Sequence, residues 1–208
     1  MSAGWPVELT EGDVVLRPIR ARDQRAWQEV SRRNRDWLRR WEATVPPPQA
    51  GRGGVARPSY RQMVRYLRGE ASAGRMLPFV VLFRGRLVGQ LTVGGITWGS
   101  MCSANVGYWI DEEVAGHGIM PTAVALAVDH CFRTLGLHRI EVCIRPENRP
   151  SRRVVEKLGF REEGMRPRYL HIDGDWRDHL VYALTAEEVP EGMLARWRSV
   201  RSAPPRTN

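Results

Sequence analysis

The chain has 208 residues and a formal net charge of +9 at pH 7. That length supports one well-buried core rather than two domains, and no apolar run approaches the roughly 20 residues of a membrane-spanning helix. The first ten residues lack a secretory signal pattern, so we expect a cytoplasmic protein that does not bind membranes. Positive charge attracts polyanions, but no strand interleaves basic and aromatic residues, and we expect no specific nucleic-acid binding.

Hydrophobic periodicity divides the N-terminal half of the chain into a strand, several helices and a hairpin. The predicted elements are a strand over 13–20, helices over 22–33, 36–43 and 59–73, and hairpin strands over 77–84 and 86–96. Proline and glycine are concentrated in 46–57, which we expect to be a flexible loop.

The C-terminal half alternates strands with helices. The predicted strands cover 103–111, 138–145, 160–172 and 176–184, and the predicted helices cover 119–135 and 149–158. A hairpin followed by strand–helix–strand–helix units predicts an α/β fold with a mixed sheet of about seven strands. We expect a single domain over 1–197 and a disordered tail over 198–208.

The most informative segment covers 111–122 and reads Asp-Glu-Glu-Val-Ala-Gly-His-Gly-Ile-Met-Pro-Thr. It follows a predicted strand and opens a predicted helix, with glycine at positions 116 and 118. Glycine allows the backbone to approach a ligand closely, and the free N–H groups at a helix start attract anions. The segment therefore predicts a cradle for a phosphate group, although Gly-x-Gly alone is also typical of a tight turn.

A second informative segment follows the strand predicted over 138–145. It starts at Asn148, continues through Pro150 and Ser151, and ends with Leu-Gly-Phe at 158–160. Taken alone, Asn148 is interpreted as a helix cap, with Pro150 in the first turn and Gly159 at the helix end.

Together the two segments resemble the GNAT acetyltransferase family, most closely its RimJ/RimL branch, which acetylates the N-terminal amines of ribosomal proteins. The residues that carry the resemblance are 107–110, 116–120, Asn148 with Ser151, 158–160 and 174–179. The likeness extends from about Asp13 to Leu184. It implies one GNAT-like domain whose mostly antiparallel sheet is splayed in the middle and flanked by helices.

The resemblance also implies acetyl-CoA as the cofactor, and no metal. Its pyrophosphate would rest on main-chain N–H groups of the turn formed by Ala115, Gly116, His117, Gly118, Ile119 and Met120. The pantetheine arm would pair with the backbone of Trp109 and Ile110, and Asn148 and Ser151 would face the same arm. The family usually has Arg or Gln where this chain has Ala115, and Gly or Ala where it has Met120. One phosphate contact is therefore expected to be missing at Ala115.

The implied reaction is direct attack of a neutral amine on the thioester. We assign Ser151 to hydrogen bonding of the leaving sulfur, with helix capping as its alternative role, and a backbone N–H near Ile110 to polarisation of the carbonyl. Many family members have a carboxylate where this chain has Asn105, which we expect to hold a proton-relaying water. Because an α-amine has a pKa of about 7.7–8.0 against about 10.4 for lysine, the missing carboxylate favours an α-amine acceptor.

The predicted function is therefore acetyl transfer to the N-terminal α-amine of a protein, with a ribosomal protein as the implied partner and a monomer or homodimer as the active form. One alternative is a small-amine or antibiotic acetyltransferase, which would need a deep acidic pocket. Another is a non-catalytic module that binds acyl-CoA or the ribosome. A dinucleotide-binding Rossmann domain fits poorly, because a hairpin precedes the glycines.

Overall fold

The structure, a computed structural model, describes residues 4–46 and 58–202. Almost all of the loop predicted over 46–57, and the predicted tail from 203 onward, lie outside the described residues. Within the described ranges, no helix is both long enough and apolar enough to cross a membrane.

The described strands form one sheet. They are β1 (Leu9–Glu11), β2 (Val14–Pro18), β3 (Leu77–Phe83), β4 (Arg86–Thr97), β5 (Ser103–Ile110), β6 (Arg139–Ile144), β7 (Arg161–Ile172) and β8 (Asp175–Thr185). Their order is β1-β2-β3-β4-β5-β6-β8-β7, and only β5 and β6 run parallel to each other. The predicted mixed, mostly antiparallel sheet is confirmed. The described residues contain eight strands rather than about seven.

Helices cover both faces of this sheet. They are α1 (Gln24–Arg33), α2 (Arg35–Arg39), α3 (Tyr60–Ser72), α4 (Ile119–Asp129), α5 (Arg149–Leu158) and α6 (Met193–Ser202). Because side chains alternate across a strand, neighbouring β3 residues enter different cores. Val80 packs with Val30 of α1 and Val64 of α3, whereas Val81 belongs to the larger core around α4. Every residue of α4 from Ile119 to Val128 is buried.

Local signals explain the helix starts that lie near the site. The Asn148 side chain accepts a hydrogen bond from the Ser151 N–H and caps α5, which Gly159 ends at a φ of +78°. The helix predicted over 119–135 is present as α4 followed by a π-helical turn over His130–Thr134.

Helix α6 is a correction to the prediction of a disordered tail from 198, because residues 198–202 are helical. The Asp129 carboxylate of α4 accepts hydrogen bonds from the N–H groups of Met193 (2.6 Å) and Leu194 (2.9 Å). The buried Trp197 donates from its ring Nε1 to Thr122 Oγ1 at 2.8 Å. Contacts with α4 therefore hold the first part of α6 in place. The α4 residues that make these contacts are distant from α6 in the sequence.

The sheet opens between β5 and β6. The two strands pair only along residues 103–105 and 139–141, and within the described chain residues 106–110 have no partner on that side. Strand β6 stays paired with β8 as far as Ile144. The predicted splay is confirmed, and it leaves β5 backbone groups free to bind a ligand.

Candidate active site

A cavity of about 310 Å³ lies at the open end of the split, between β5, the turn before α4 and the start of α5. Most of the residues predicted to bind a cofactor line it, and they come from three separate segments. These residues are Trp109, Ile110, Ala115, Gly116, Gly118, Ile119, Met120, Asn148 and Ser151. The structure therefore brings the two sequence motifs together around one cavity.

The turn before α4 adopts a conformation that only glycine accepts readily. Gly116 has a φ of +86° and Gly118 a φ of +79°, and Gly118 is the N-terminal cap of α4. A β-carbon added to Gly118 would lie 3.4 Å from the Trp197 ring, so close packing adds to the backbone requirement. The free N–H groups of α4 begin at this turn, where they can bind an anion.

The buried carboxylate of Asp111 links the segment before this turn to the end of α1. Asp111 is 1% exposed, forms an ion pair with Arg33, and accepts a hydrogen bond from Asn34 Nδ2 at 2.7 Å. Asn34 Oδ1 in turn accepts from the Glu112 N–H at 2.9 Å. Burial acts to raise the pKa of Asp111, but the hydrogen bonds from Arg33 and Asn34 outweigh it and hold that pKa below its ordinary value. Asp111 is therefore a charged structural link.

One peptide unit of β5 presents an N–H group away from β4. A β-carbon added to Gly89 of β4 would lie only 2.3 Å from the Trp109 carbonyl oxygen. The Trp109 carbonyl therefore points towards Gly89. In a trans peptide the following N–H points the opposite way. The Ile110 N–H therefore points away from Gly89, and Ile110 lines the cavity. The Trp109 side chain packs edge-on against Trp27, with ring centres 6.0 Å apart.

Ser151 forms a hydroxyl pair with Tyr108, a residue that the sequence analysis did not assign to the site. Ser151 Oγ donates to the Tyr108 hydroxyl at 3.0 Å, and that hydroxyl donates to the Ser151 carbonyl oxygen at 3.2 Å. Burial raises the pKa of Tyr108, although the hydrogen bond from Ser151 acts against it, so the phenol keeps its proton at neutral pH. The position of Tyr108 in the Gly-Tyr-Trp-Ile motif was the available signal.

Two basic residues of α5 also line the cavity and were missed. Arg153 and Lys157 are four residues apart, which places both on one face of the helix. Their charges suit the phosphate groups of a nucleotide-bearing ligand. The signal in the sequence was an (i, i+4) basic pair on the helix that follows Asn148.

A second cavity, of about 190 Å³, lies inside the split itself. Both cavities are lined by Trp41, Tyr108, Asn148 and Ser151. These four residues mark the junction of the two cavities. Beyond the junction, the second cavity is lined by residues of β6, β7 and β8, among them Cys143, Arg145, Leu170 and His179.

Trp41 reaches the junction because the chain after α2 attaches to β7. Ala43 forms an antiparallel bridge with Ile172, and the Thr44 N–H donates to the His171 carbonyl oxygen at 2.8 Å. The Arg145 guanidinium lies 5.4 Å from the Trp41 ring centre, within the range of a cation–π contact.

Asn105 and His117 are the two predicted site residues that line neither cavity. Asn105 is exposed and lies in the part of β5 that still pairs with β6, opposite Glu141. The Glu141 carboxylate binds Arg139 at 2.9 Å and Arg166 at 2.8 Å. His117 is exposed in the turn.

An acetyltransferase (GNAT) domain family matches residues 13–161 of the chain. The ribosomal protein uS5 alanine N-acetyltransferase of Escherichia coli is 28% identical over 192 residues, which cover 89% of this chain and 94% of that protein. The probable N-acetyltransferase YjcK of Bacillus subtilis is 43% identical over 99 residues, which span 48% of this chain and 55% of that protein.

Among solved structures, Mycobacterium smegmatis RimJ in complex with CoA-disulfide superposes with a TM-score of 0.88 at 44% identity. The superposition covers 97% of this chain and 98% of that one. A ribosomal-protein-S5-alanine acetyltransferase from Vibrio fischeri superposes with a TM-score of 0.73 at 28% identity, over 86% of this chain and 96% of that one.

Proposed function

The chain belongs to the GNAT acetyltransferase family and is of the RimJ/RimL ribosomal-protein type, and from this we propose that it acetylates the N-terminal α-amine of a protein. The observation that carries the proposal is the junction at Tyr108 and Ser151, two residues that line both the cofactor cavity and the second cavity. The E. coli relative that acts on uS5 aligns over most of both chains, which supports a ribosomal protein as the acceptor.

Acetyl-CoA is the cofactor of this family, and the residues present fit it. Gly116 and Gly118 give the turn the left-handed backbone that it needs beside the cavity, and Arg153 and Lys157 supply positive charge to the same cavity. Bound acetyl-CoA supplies the activated thioester that an amine attacks. Residues of this chain would then have three tasks, namely to orient the acetyl group, to protonate the departing sulfur and to accept a proton from the amine.

The first two tasks suit groups at the junction. The Ile110 N–H would donate to the acetyl oxygen and stabilise the negative charge that develops there. Ser151 Oγ, which donates to the Tyr108 hydroxyl at 3.0 Å, would turn its hydroxyl proton to the sulfur instead, and Tyr108 would then donate to Ser151 Oγ across the same contact and replace that proton. The capping of α5 by Asn148 supports this role, because it fixes the backbone of Ser151.

The second cavity favours an α-amine of a peptide over a polycationic small amine. No carboxylate lines it within the described chain, and its charged lining residue is Arg145. An aminoglycoside or polyamine carries several positive charges, which the Arg145 guanidinium would repel. The apolar rings and side chains of Trp41, Leu170 and Ile172 suit an uncharged first residue such as alanine.

The two apolar cores share one sheet, and α6 packs on α4. This supports the proposal that the predicted domain over 1–197 is a single unit.

The decisive experiment is mass spectrometry after incubation with acetyl-CoA and two peptides. One peptide has a free N-terminal alanine and no lysine, and the other has a blocked N-terminus and one lysine. We expect acetylation of the first peptide alone. Acetylation of the second alone would overturn the α-amine proposal, and CoA binding without transfer to either would favour the binding-module alternative.

A matched pair of variants tests the junction in the same assay. Tyr108→Phe keeps the ring and removes the hydroxyl group, so kcat should fall by about tenfold or more while CoA affinity is retained. Tyr66→Phe is the control, because Tyr66 is 62% exposed on α3. Equal activity of the two variants would remove Tyr108 from the mechanism.

A further inference from the structure

His179 of β8 is the titratable side chain of the second cavity whose surroundings most resemble those of a base. It lines that cavity with Tyr108 and Ser151 of the junction, and it is only 3% exposed. The Tyr169 ring packs edge-on against the imidazole with ring centres 5.6 Å apart, and thereby fixes its orientation.

The hydrogen bonding of the ring identifies its tautomer. His179 Nδ1 lies 3.0 Å from the Arg177 carbonyl oxygen. A carbonyl oxygen only accepts, so Nδ1 carries the proton and Nε2 carries the lone pair of the neutral ring. Nε2 has no hydrogen-bond partner among the described residues. In the described residues, the fully buried side-chain polar atoms without a hydrogen-bond partner are His130 Nε2 and Arg177 Nε. His179 Nε2 is not one of them, so it remains accessible from the cavity.

Burial favours the neutral form of the His179 ring. Burial lowers the pKa of His179 below its ordinary value, and the nearby Arg145 guanidinium lowers it further. The hydrogen bond to the Arg177 carbonyl and the carboxylates of Asp178 and Glu147 act in the opposite direction without cancelling the effect. The other titratable neighbours are Cys143 on the adjacent strand β6, which lines the same cavity, and Tyr169 against the ring. Burial raises the pKa of the Cys143 thiol.

We propose that His179 Nε2 accepts the proton that the acceptor amine loses during transfer, an inference that rests on the proposed function. The amine nitrogen forms a bond to the acetyl carbon, and the carbon–sulfur bond breaks with its electron pair moving to sulfur. One N–H proton goes to Nε2, and the hydroxyl pair of Ser151 and Tyr108 delivers one proton to sulfur. His179 then releases its proton to solvent, and the hydroxyl pair of Ser151 and Tyr108 takes one proton back from solvent, so charge and protons balance and both groups return to their starting state.

Steady-state kinetics of His179→Gln test the role. Glutamine keeps a side-chain amide near the Nδ1 contact but cannot accept a proton at neutral pH. We expect kcat for the alanine peptide to fall by about 10²-fold or more, with KM and CoA affinity close to wild type. The fall in wild-type kcat below the pKa of His179 should be absent from the variant. His138→Gln, which changes a histidine that is 52% exposed at the start of β6, should behave as wild type.

Nitrogen NMR of the wild-type ring gives a readout that does not depend on turnover. We expect the Nδ1–H tautomer and a His179 pKa below the ordinary value of about 6.5. A ring protonated on Nε2, or a variant that keeps both full kcat and the acid limb, would overturn the proposal. If the wild-type enzyme acetylates no α-amine peptide, the proposed function fails, and the tautomer and pKa still report on His179 separately.

Discussion

Asp111→Asn is the sharpest test of how the glycine turn before α4 is held in place. Asp111 accepts hydrogen bonds from Arg33 and from Asn34 Nδ2 at 2.7 Å, and more weakly from the Glu113 N–H at 3.4 Å. Asparagine has the same shape, but it removes the charge and places an NH₂ group where one acceptor oxygen stood. The segment would then lose its ionic link to Arg33 of α1.

The magnitude follows from the exposure of the two partners. A hydrogen bond to a charged group contributes about 1.5–3 kcal/mol to stability. The Arg33 side chain is 33% exposed and can form hydrogen bonds to water instead. Losing its hydrogen bond to Asp111 should therefore cost an amount at the lower end of that range. Asn34 is 2% exposed and cannot form a replacement hydrogen bond to water. Losing its hydrogen bond to Asp111 should therefore cost an amount higher in that range. Together we expect a decrease of about 3 kcal/mol in the free energy of unfolding, as for a buried ion pair that loses one partner.

Urea unfolding at pH 7 measures this decrease, with Asp36→Asn as the control because Asp36 is exposed on α2. The pH dependence provides a second check. The pKa of Asp111 is lowered in the folded state, so its contribution is complete above the unfolded value of about 3.9. That contribution is lost as the pH falls through the lower folded pKa. A loss below about 1 kcal/mol at pH 7, or a difference unchanged between pH 7 and pH 3, would refute the reasoning.

Two further predictions concern the cofactor cavity. Gly118→Ala should weaken CoA binding, measured by calorimetry, by about tenfold or more, since a left-handed residue costs roughly 1–2 kcal/mol and the methyl group meets the Trp197 ring. Gly99→Ala has similar backbone strain at a φ of +74° in open space and should leave the CoA affinity unchanged. Arg153→Ala combined with Lys157→Ala should lower CoA affinity and reduce its salt dependence. An unchanged affinity would exclude phosphate contacts from these two residues.

The cofactor half of the site could be predicted because its determinants are local. Positive φ at Gly116 and Gly118 is a requirement of one turn, and the capping by Asn148 involves a residue three positions away. Each pattern is complete within a few residues. The order of strands and helices then predicts that the two turns meet at the same end of a split sheet.

Residues in contact across long sequence separations could not be found in this way. Ser151 and Tyr108 are 43 positions apart, and α6 depends on Asp129, which lies 64 positions before Met193. Helix α6 buries only Met193 and Trp197 in its ten residues, which is a weak amphipathic signal.

The role of Asn105 stays a prediction, which was taken from the position where many family members have a carboxylate. Its surroundings in the fold could not be read from that position. Asn105 still pairs with β6, at Glu141, and the split opens at the following residue. Side chains also alternate between the faces of a strand, so Asn105 and Tyr108 point to opposite faces.

The second cavity, which we propose as the acceptor site, is assembled from segments that become neighbours only in the folded chain. Trp41 is held by the bridge between Ala43 and β7, and His179 belongs to the hairpin partner of that strand. A substitution in β7 can therefore move both walls of the second cavity while the phosphate turn stays intact. We therefore expect that acceptor preference can change with little effect on CoA binding, and that a cofactor motif alone does not identify the amine.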